Sequence, residues 1–223
     1  MRKAILPILV ALGLIGSASS AQLITTSNFM YSFQDVYSSN ALDYVVGQNN
    51  IQRTSENGNP ASGVSYWNPI NNGENATLTF KFAFTQPTTS IYLNTYIGAY
   101  NFGGSYYGSD SLWASTDGAN WVNLASPPTP SYPGYPYGAG TNYDSYLPPF
   151  LIGSHEIWIQ ARLNTSSWNI MAQFCRQDTS WATNQIFALS GTTVESAPEP
   201  STYALFGTGA IGMLMVMRRK KTA

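Results

Sequence analysis

The chain has 223 residues, enough for one domain with a full hydrophobic core. Charged residues make up only 9% of it and the formal charge is −1, which excludes a nucleic-acid binder built on a basic patch. The single cysteine, Cys175, excludes an internal disulfide framework and reads as a small buried hydrophobe.

Met1-Arg2-Lys3 forms a basic start, Ala4 to Gly16 an apolar stretch, and Ser19-Ser20-Ala21 a run of small residues before Gln22. This is the pattern of a signal peptide over residues 1–21, cut by signal peptidase between Ala21 and Gln22. The remaining body, residues 22–197, holds the cations Arg53, Lys81, Arg162 and Arg176 against ten acids, and is therefore close to −6. The other cations lie in the two ends. Asn, Ser, Thr, Gly and Tyr supply most of the polar surface, while β-branched and aromatic residues outnumber helix formers, which favours strands.

The predicted strands begin with Leu23–Phe33, Leu42–Gly47, Ile51–Thr54 and Val64–Trp67. The clearest is Ala76–Thr85, where Leu78, Phe80, Phe82 and Phe84 alternate with Thr77, Thr79, Lys81 and Ala83. Gln86-Pro87 then turns the chain into Ser90–Tyr100, with Ile91, Leu93 and Ile97 on one face and Tyr92, Tyr96 and Tyr100 on the other. These two segments read as neighbouring antiparallel strands. Leu112–Thr116 and Asn120–Leu124 flank Asp117-Gly118, a strong hairpin signal because glycine takes positive φ without penalty. Glu156–Leu163 alternates again, pointing Ile157, Ile159, Ala161 and Leu163 inward and Glu156, Trp158, Gln160 and Arg162 outward. Ile170–Arg176 and Ile186–Thr193 complete the set. Short strands, Gly/Pro/Asn punctuation and the lack of an amphipathic helix predict an all-β fold, a single antiparallel β-sandwich of jelly-roll-like form.

Residues 126–149 read as a Pro/Gly/Tyr-rich loop, since its prolines oppose regular pairing and its length exceeds that of most loops. Tyr132, Tyr135, Tyr137, Tyr143 and Tyr146, with Asn142 and Asp144, are candidate ligand-binding residues. Flat aromatic rings stack on sugar C–H faces while amides and carboxylates read hydroxyl groups. The same tyrosines would equally serve a surface loop packed on its own sandwich.

Past the body come Ala197-Pro198-Glu199-Pro200-Ser201-Thr202, the uncharged span Tyr203–Met217 and the cluster Arg218-Arg219-Lys220-Lys221. As a helix the span would reach about 22 Å, short of the ~30 Å hydrocarbon core, with the cations snorkelling to headgroups. Pro198 and Pro200 hold the junction extended, which suits a protease. Cations outside both apolar segments place both precursor termini in the cytoplasm and export everything between them.

Residues 198–223 closely resemble the PEP-CTERM sorting tail, with Pro198, Glu199 and Pro200 as its motif, residues 203–217 as its transmembrane helix and Arg218–Lys221 as its basic stop. The resemblance implies a Gram-negative source and processing by an exosortase, a membrane-embedded cysteine protease-transpeptidase. Such tails also carry the label "ice-binding protein C-terminal domain", which by itself implies nothing about ice. Within the body, Ser115-Thr116-Asp117-Gly118-Ala119-Asn120-Trp121 is similar to hairpins of discoidin-like, galactose-binding-type sandwiches. It also resembles the Asp-box of sialidase-like propellers, but no second copy is present.

The expected function is that of a non-catalytic cell-surface or extracellular-matrix protein, first held at the inner membrane and then released. The resemblance makes polysaccharide the expected partner, because proteins of this class accompany exopolysaccharide production. A structural coat protein without a ligand, or a polysaccharide-cleaving enzyme, remain alternatives. The sequence shows no nucleophile elbow and no histidine cluster for a metal, with His155 alone, and implies no cofactor. A paired-carboxylate glycosidase would have to draw on Glu74, Asp110, Asp117, Asp144 and Glu156.

Overall fold

The computed structural model describes residues 22–33, 35–55, 65–71, 74–101, 110–127, 137–164, 170–174 and 187–195. Thirteen strands follow in chain order: β1 (Leu23–Ile24), β2 (Asn28–Phe33), β3 (Val45–Asn49), β4 (Ile51–Ser55), β5 (Ser65–Pro69), β6 (Ala76–Phe84) and β7 (Thr88–Asn101). After them come β8 (Ser111–Ser115), β9 (Val122–Ala125), β10 (Tyr137–Tyr146), β11 (Glu156–Leu163), β12 (Ile170–Phe174) and β13 (Phe187–Thr193). The fold is all-β, and the strands form two sheets that close over one core, as the alternating patterns predict.

The first sheet is centred on β6. β1 and β3 share one of its sides, and β11, β8 and β9 follow in order on the other. The β1–β6 pair is parallel, so the sandwich is not antiparallel throughout. The second sheet is centred on the long β7. β10 runs along one side, while β13 and β12 share the other, pairing with its first and second halves respectively. β2 lies beyond β13, and β5 and then β4 lie beyond β12.

Three expectations change. The segments on either side of Gln86-Pro87 are not neighbours: β6 and β7 belong to different sheets, and each is already flanked on both sides. The turn carries the chain across the sandwich. The span Leu23–Phe33 is likewise split, with β1 in the first sheet and β2 in the second. The first half of Leu42–Gly47 is a turn, closed by Val45 N donating to Leu42 O, and β3 starts only at Val45. A second crossing, from β3 to β4, passes through Asn50 at φ 50°, a conformation asparagine tolerates better than most residues. Both groups of the Asn50 side-chain amide bond the backbone of Asn71.

The core is an aromatic column between the sheets. Phe80 of β6 stacks on Phe187 of β13 at 4.7 Å, and Phe187 stacks on Phe33 of β2 at 5.4 Å. Leu78, Phe82, Ile91, Leu93, Ile157 and Leu189 are fully buried around them. Burial of this kind contributes about 25 cal/mol per Å² of apolar surface and supplies most of the stability of a disulfide-free domain.

The sandwich has two distinct ends. At one, Thr193 N donates to Ser27 O, Val194 N to Pro87 O, and Thr85 N to Ile24 O, so the start and finish of the described body lie side by side. At the other, Asn101, Tyr137 and Ile170 are register neighbours, and the Asn164 amides bond Asp110 and Asn75. The residues that flank 102–109, 128–136 and 165–169 therefore gather at the end opposite Glu195.

Candidate functional site

The described residues nearest the expected cleavage points, Gln22 and Glu195, sit at the first of these ends. Gln22, the expected new N-terminus, is exposed next to β1, and Glu195 closes the described body a few residues before the tail. A shallow groove lined by Thr25, Ser27, Gln86, Thr193, Val194 and Glu195 opens there. Ala21, Pro198, Glu199, Pro200, the span 203–217 and the cations Arg218, Arg219, Lys220 and Lys221 lie outside the described residues, as does Cys175. Among the described residues no helix is long and apolar enough to cross a membrane.

The tyrosine-rich segment is not one loop. Residues 137–146 form β10, paired along its whole length with β7, from Tyr137 opposite Asn101 to Tyr146 opposite Tyr92. The prolines mislead because they stop short of the strand on one side and begin at Pro148 on the other, leaving residues 137–146 free of them. Gly140 helps seat the strand, since a Cβ there would meet the Tyr96 hydroxyl at 2.1 Å.

Pairing sorts the candidate residues by face. Tyr143, opposite the buried Thr95, leans on the core, and burial raises the proton affinity of its hydroxyl, which donates to Tyr146 O. Asn142, Asp144 and Tyr146 face outward and are exposed. The Tyr92 ring meets Tyr146 edge-on at 5.2 Å, and its hydroxyl donates to Asp144 Oδ1. That bond to a carboxylate raises the Tyr92 pKa above the ordinary phenol value. Three outward candidates thus share one patch with Tyr92, whereas Tyr143 packs elsewhere. Tyr132 and Tyr135 lie outside the described residues.

A second aromatic surface covers the outer face of the first sheet. Register places Trp158 beside Lys81 and Ser115, and Gln160 beside Thr79 and Trp113. Lys81 Nζ lies 4.6 Å from the centre of the Trp158 ring and 2.8 Å from Glu156 Oε1, and Glu156 Oε2 accepts from Trp158 Nε1. Lys81 and this indole bond hold the Glu156 carboxyl below its ordinary pKa.

Four residues further along β11, the Arg162 guanidinium sits 4.3 Å from the Trp113 ring centre and 5.5 Å from that of Trp121. Its Nε donates to Gln160 Oε1 at 2.6 Å, Gln160 Nε2 donates to Thr79 Oγ1, and Trp113 Nε1 donates to Ser111 Oγ. All three indoles are partly exposed. The sequence reading found the outward stripe Glu156–Arg162 and the Asp-Gly hairpin, but not this cluster. Indoles on either side of a hairpin turn, combined with an outward Trp/Arg alternation, were the available signal.

The hairpin completes the surface. Asp117 Oδ1 accepts from the backbone of Ala119 and Asn120 and from Ser115 Oγ, and Oδ2 accepts from Asn120 Nδ2. These donors hold the Asp117 carboxyl far below its usual pKa, with the Asn120 amide the largest contributor. Gly118, at φ 72°, lies directly under Trp158, and a Cβ there would come within 3.2 Å of the indole.

Residues 196–220 match the PEP-CTERM protein-sorting motif, beginning two residues ahead of Pro198. The motif marks an exported protein processed by an exosortase. No curated protein matches the chain.

Proposed function

We propose that this exosortase-sorted protein is a non-catalytic component of the cell surface or extracellular matrix and binds polysaccharide. Its signal peptide is removed between Ala21 and Gln22, and residues 203–217 tether the precursor to the inner membrane until the tail is cut near Pro198–Pro200. The observation that carries the binding half is the outward patch of Tyr92, Tyr146, Asp144 and Asn142 on β7 and β10, where aromatic edges and hydroxyl-reading groups lie together on a rigid sheet.

Four of the five candidate acids are already engaged, which favours binding over cleavage. Asp117 is locked in its turn, Glu156 is paired with Lys81, Asp144 accepts from Tyr92, and buried Asp110 accepts from Asn164 N. A glycosidase needs one carboxyl protonated and another free to attack or to activate water.

Two measurements test the reading. The intact mass of protein recovered from its host should lack both terminal segments; full-length chain persisting in the inner membrane would overturn the sorting half. In sedimentation with insoluble glycans the protein should show saturable binding without releasing reducing sugar. No saturable binding would leave a structural coat protein, and sugar release lost on alanine replacement of an acid would leave the enzyme.

A further inference from the structure

The outer face of the first sheet carries a cation whose hydrogen-bonding capacity is only partly used. Arg162 Nε is taken by Gln160, and among the described residues no carboxylate lies within salt-bridge reach of the guanidinium. Two indoles lie against it and strip part of its hydration. A guanidinium presents a rigid fork that matches a carboxylate in two parallel hydrogen bonds. The second cation-on-indole unit, Lys81 over Trp158, lies about 13 Å away along β11, at roughly 3.3 Å per residue. That distance spans more than one sugar of a polymer. Among the described residues no strand packs over this face. Asp110 precedes Ser111, the register partner of Arg162, but its carboxylate is buried and accepts from Asn164 N, while Glu156, farther along β11, is paired with Lys81.

We propose that this face is a binding site for acidic polysaccharide, in which Arg162, packed against Trp113 and Trp121, receives the carboxylate of a uronic acid unit while the indoles stack against sugar rings. The proposal rests on the glycan-binding reading and adds to it a charge class and a second surface, separate from the Tyr92–Tyr146 patch.

The test uses processed protein recovered from its host, titrated with polygalacturonate and, separately, with a neutral glucan, while tryptophan fluorescence is followed. Polygalacturonate should bind saturably and change the indole emission. Arg162→Gln should weaken that binding about tenfold or more, the scale of a charge-assisted hydrogen-bonded pair. Arg162→Lys, which keeps the charge but loses the fork, should recover only part of it, and Trp113→Ala should also weaken it. Unfolding midpoints of the variants identify any that fail to fold, and Arg162→Lys keeps the test decisive if Arg162→Gln does. Wild-type affinity in folded Arg162→Gln would overturn the proposal. Binding of the neutral glucan alone would also overturn it while leaving the glycan-binding reading intact. Binding of neither polymer by the unmodified protein would overturn the proposal, and the insoluble-glycan sedimentation then judges the broader reading by itself.

Discussion

Phe80 and Phe187 lie ring on ring across the sandwich, 4.7 Å between centroids and 23° between planes, one from the middle of each sheet. Phe187 also stacks on Phe33 and meets Phe174 edge-on, so three other strands converge on this one side chain. Phe187→Ala should therefore destabilise the body by about 3–5 kcal/mol, read as a drop in the urea unfolding midpoint with unchanged slope. Phe187→Leu, which keeps most of the volume, should cost clearly less.

Two glycines separate close contact from backbone conformation. A Cβ on Gly191 would come within 2.1 Å of the Ser90 carbonyl oxygen, backbone that cannot swing aside without opening the β13–β7 ladder. Gly191→Ala should cost about 3 kcal/mol. Gly153 has φ 92° with nothing within 4 Å of the added atom, so Gly153→Ala should cost only about 1 kcal/mol of conformational strain. Parallel chemical unfolding of the two variants checks the order.

The carboxyls of Asp117 and Glu156 are both held below their ordinary pKa values in the folded protein, the first by backbone and side-chain donors and the second chiefly by Lys81. A depressed folded value means the stabilisation is complete above the unfolded carboxyl pKa, about 4, and is lost as pH falls through the folded values. Carbon NMR titration should find Asp117 still ionised at a pH where ordinary aspartates are protonated. Asp117→Asn should speed amide exchange at Ala119 and Asn120, which lose a charged acceptor.

The basic cluster that ends the tail can be removed without touching the body. Replacing Arg218 and Arg219 with Asn and Lys220 and Lys221 with Gln leaves a short span with no cationic stop. Full-length protein should then escape processing and shift from the membrane fraction to the medium, as followed by immunoblot. Unchanged cleavage would show that the motif around Pro198–Pro200 is enough by itself.

Strand faces were legible wherever two-residue alternation was clean. Glu156–Leu163 is β11 to the residue, and its inward and outward sides are those read from the sequence. The Asp117-Gly118 hairpin was equally plain, because few residues other than glycine accept φ 72°. Pairing partners were not legible. Gln86-Pro87 encodes a reversal but not whether the next strand lies alongside β6 or across the core, and long-range occupancy of both sides of β6 decides that. β10 was hidden by glycine and asparagine, weak strand formers that pairing with β7 overrides. The Trp113–Arg162–Trp121 cluster depends on the register of β8 against β11, which local sequence does not carry.

The chain leaves the body from β13, which is laced on one flank to β2 and on the other to β7. A pull on β13 along its own axis would be met by both neighbours at once. Such a pull loads both ladders in shear, so their rungs must yield together and cannot be peeled apart singly. β13 is thus held by the kind of connection that best resists being torn loose.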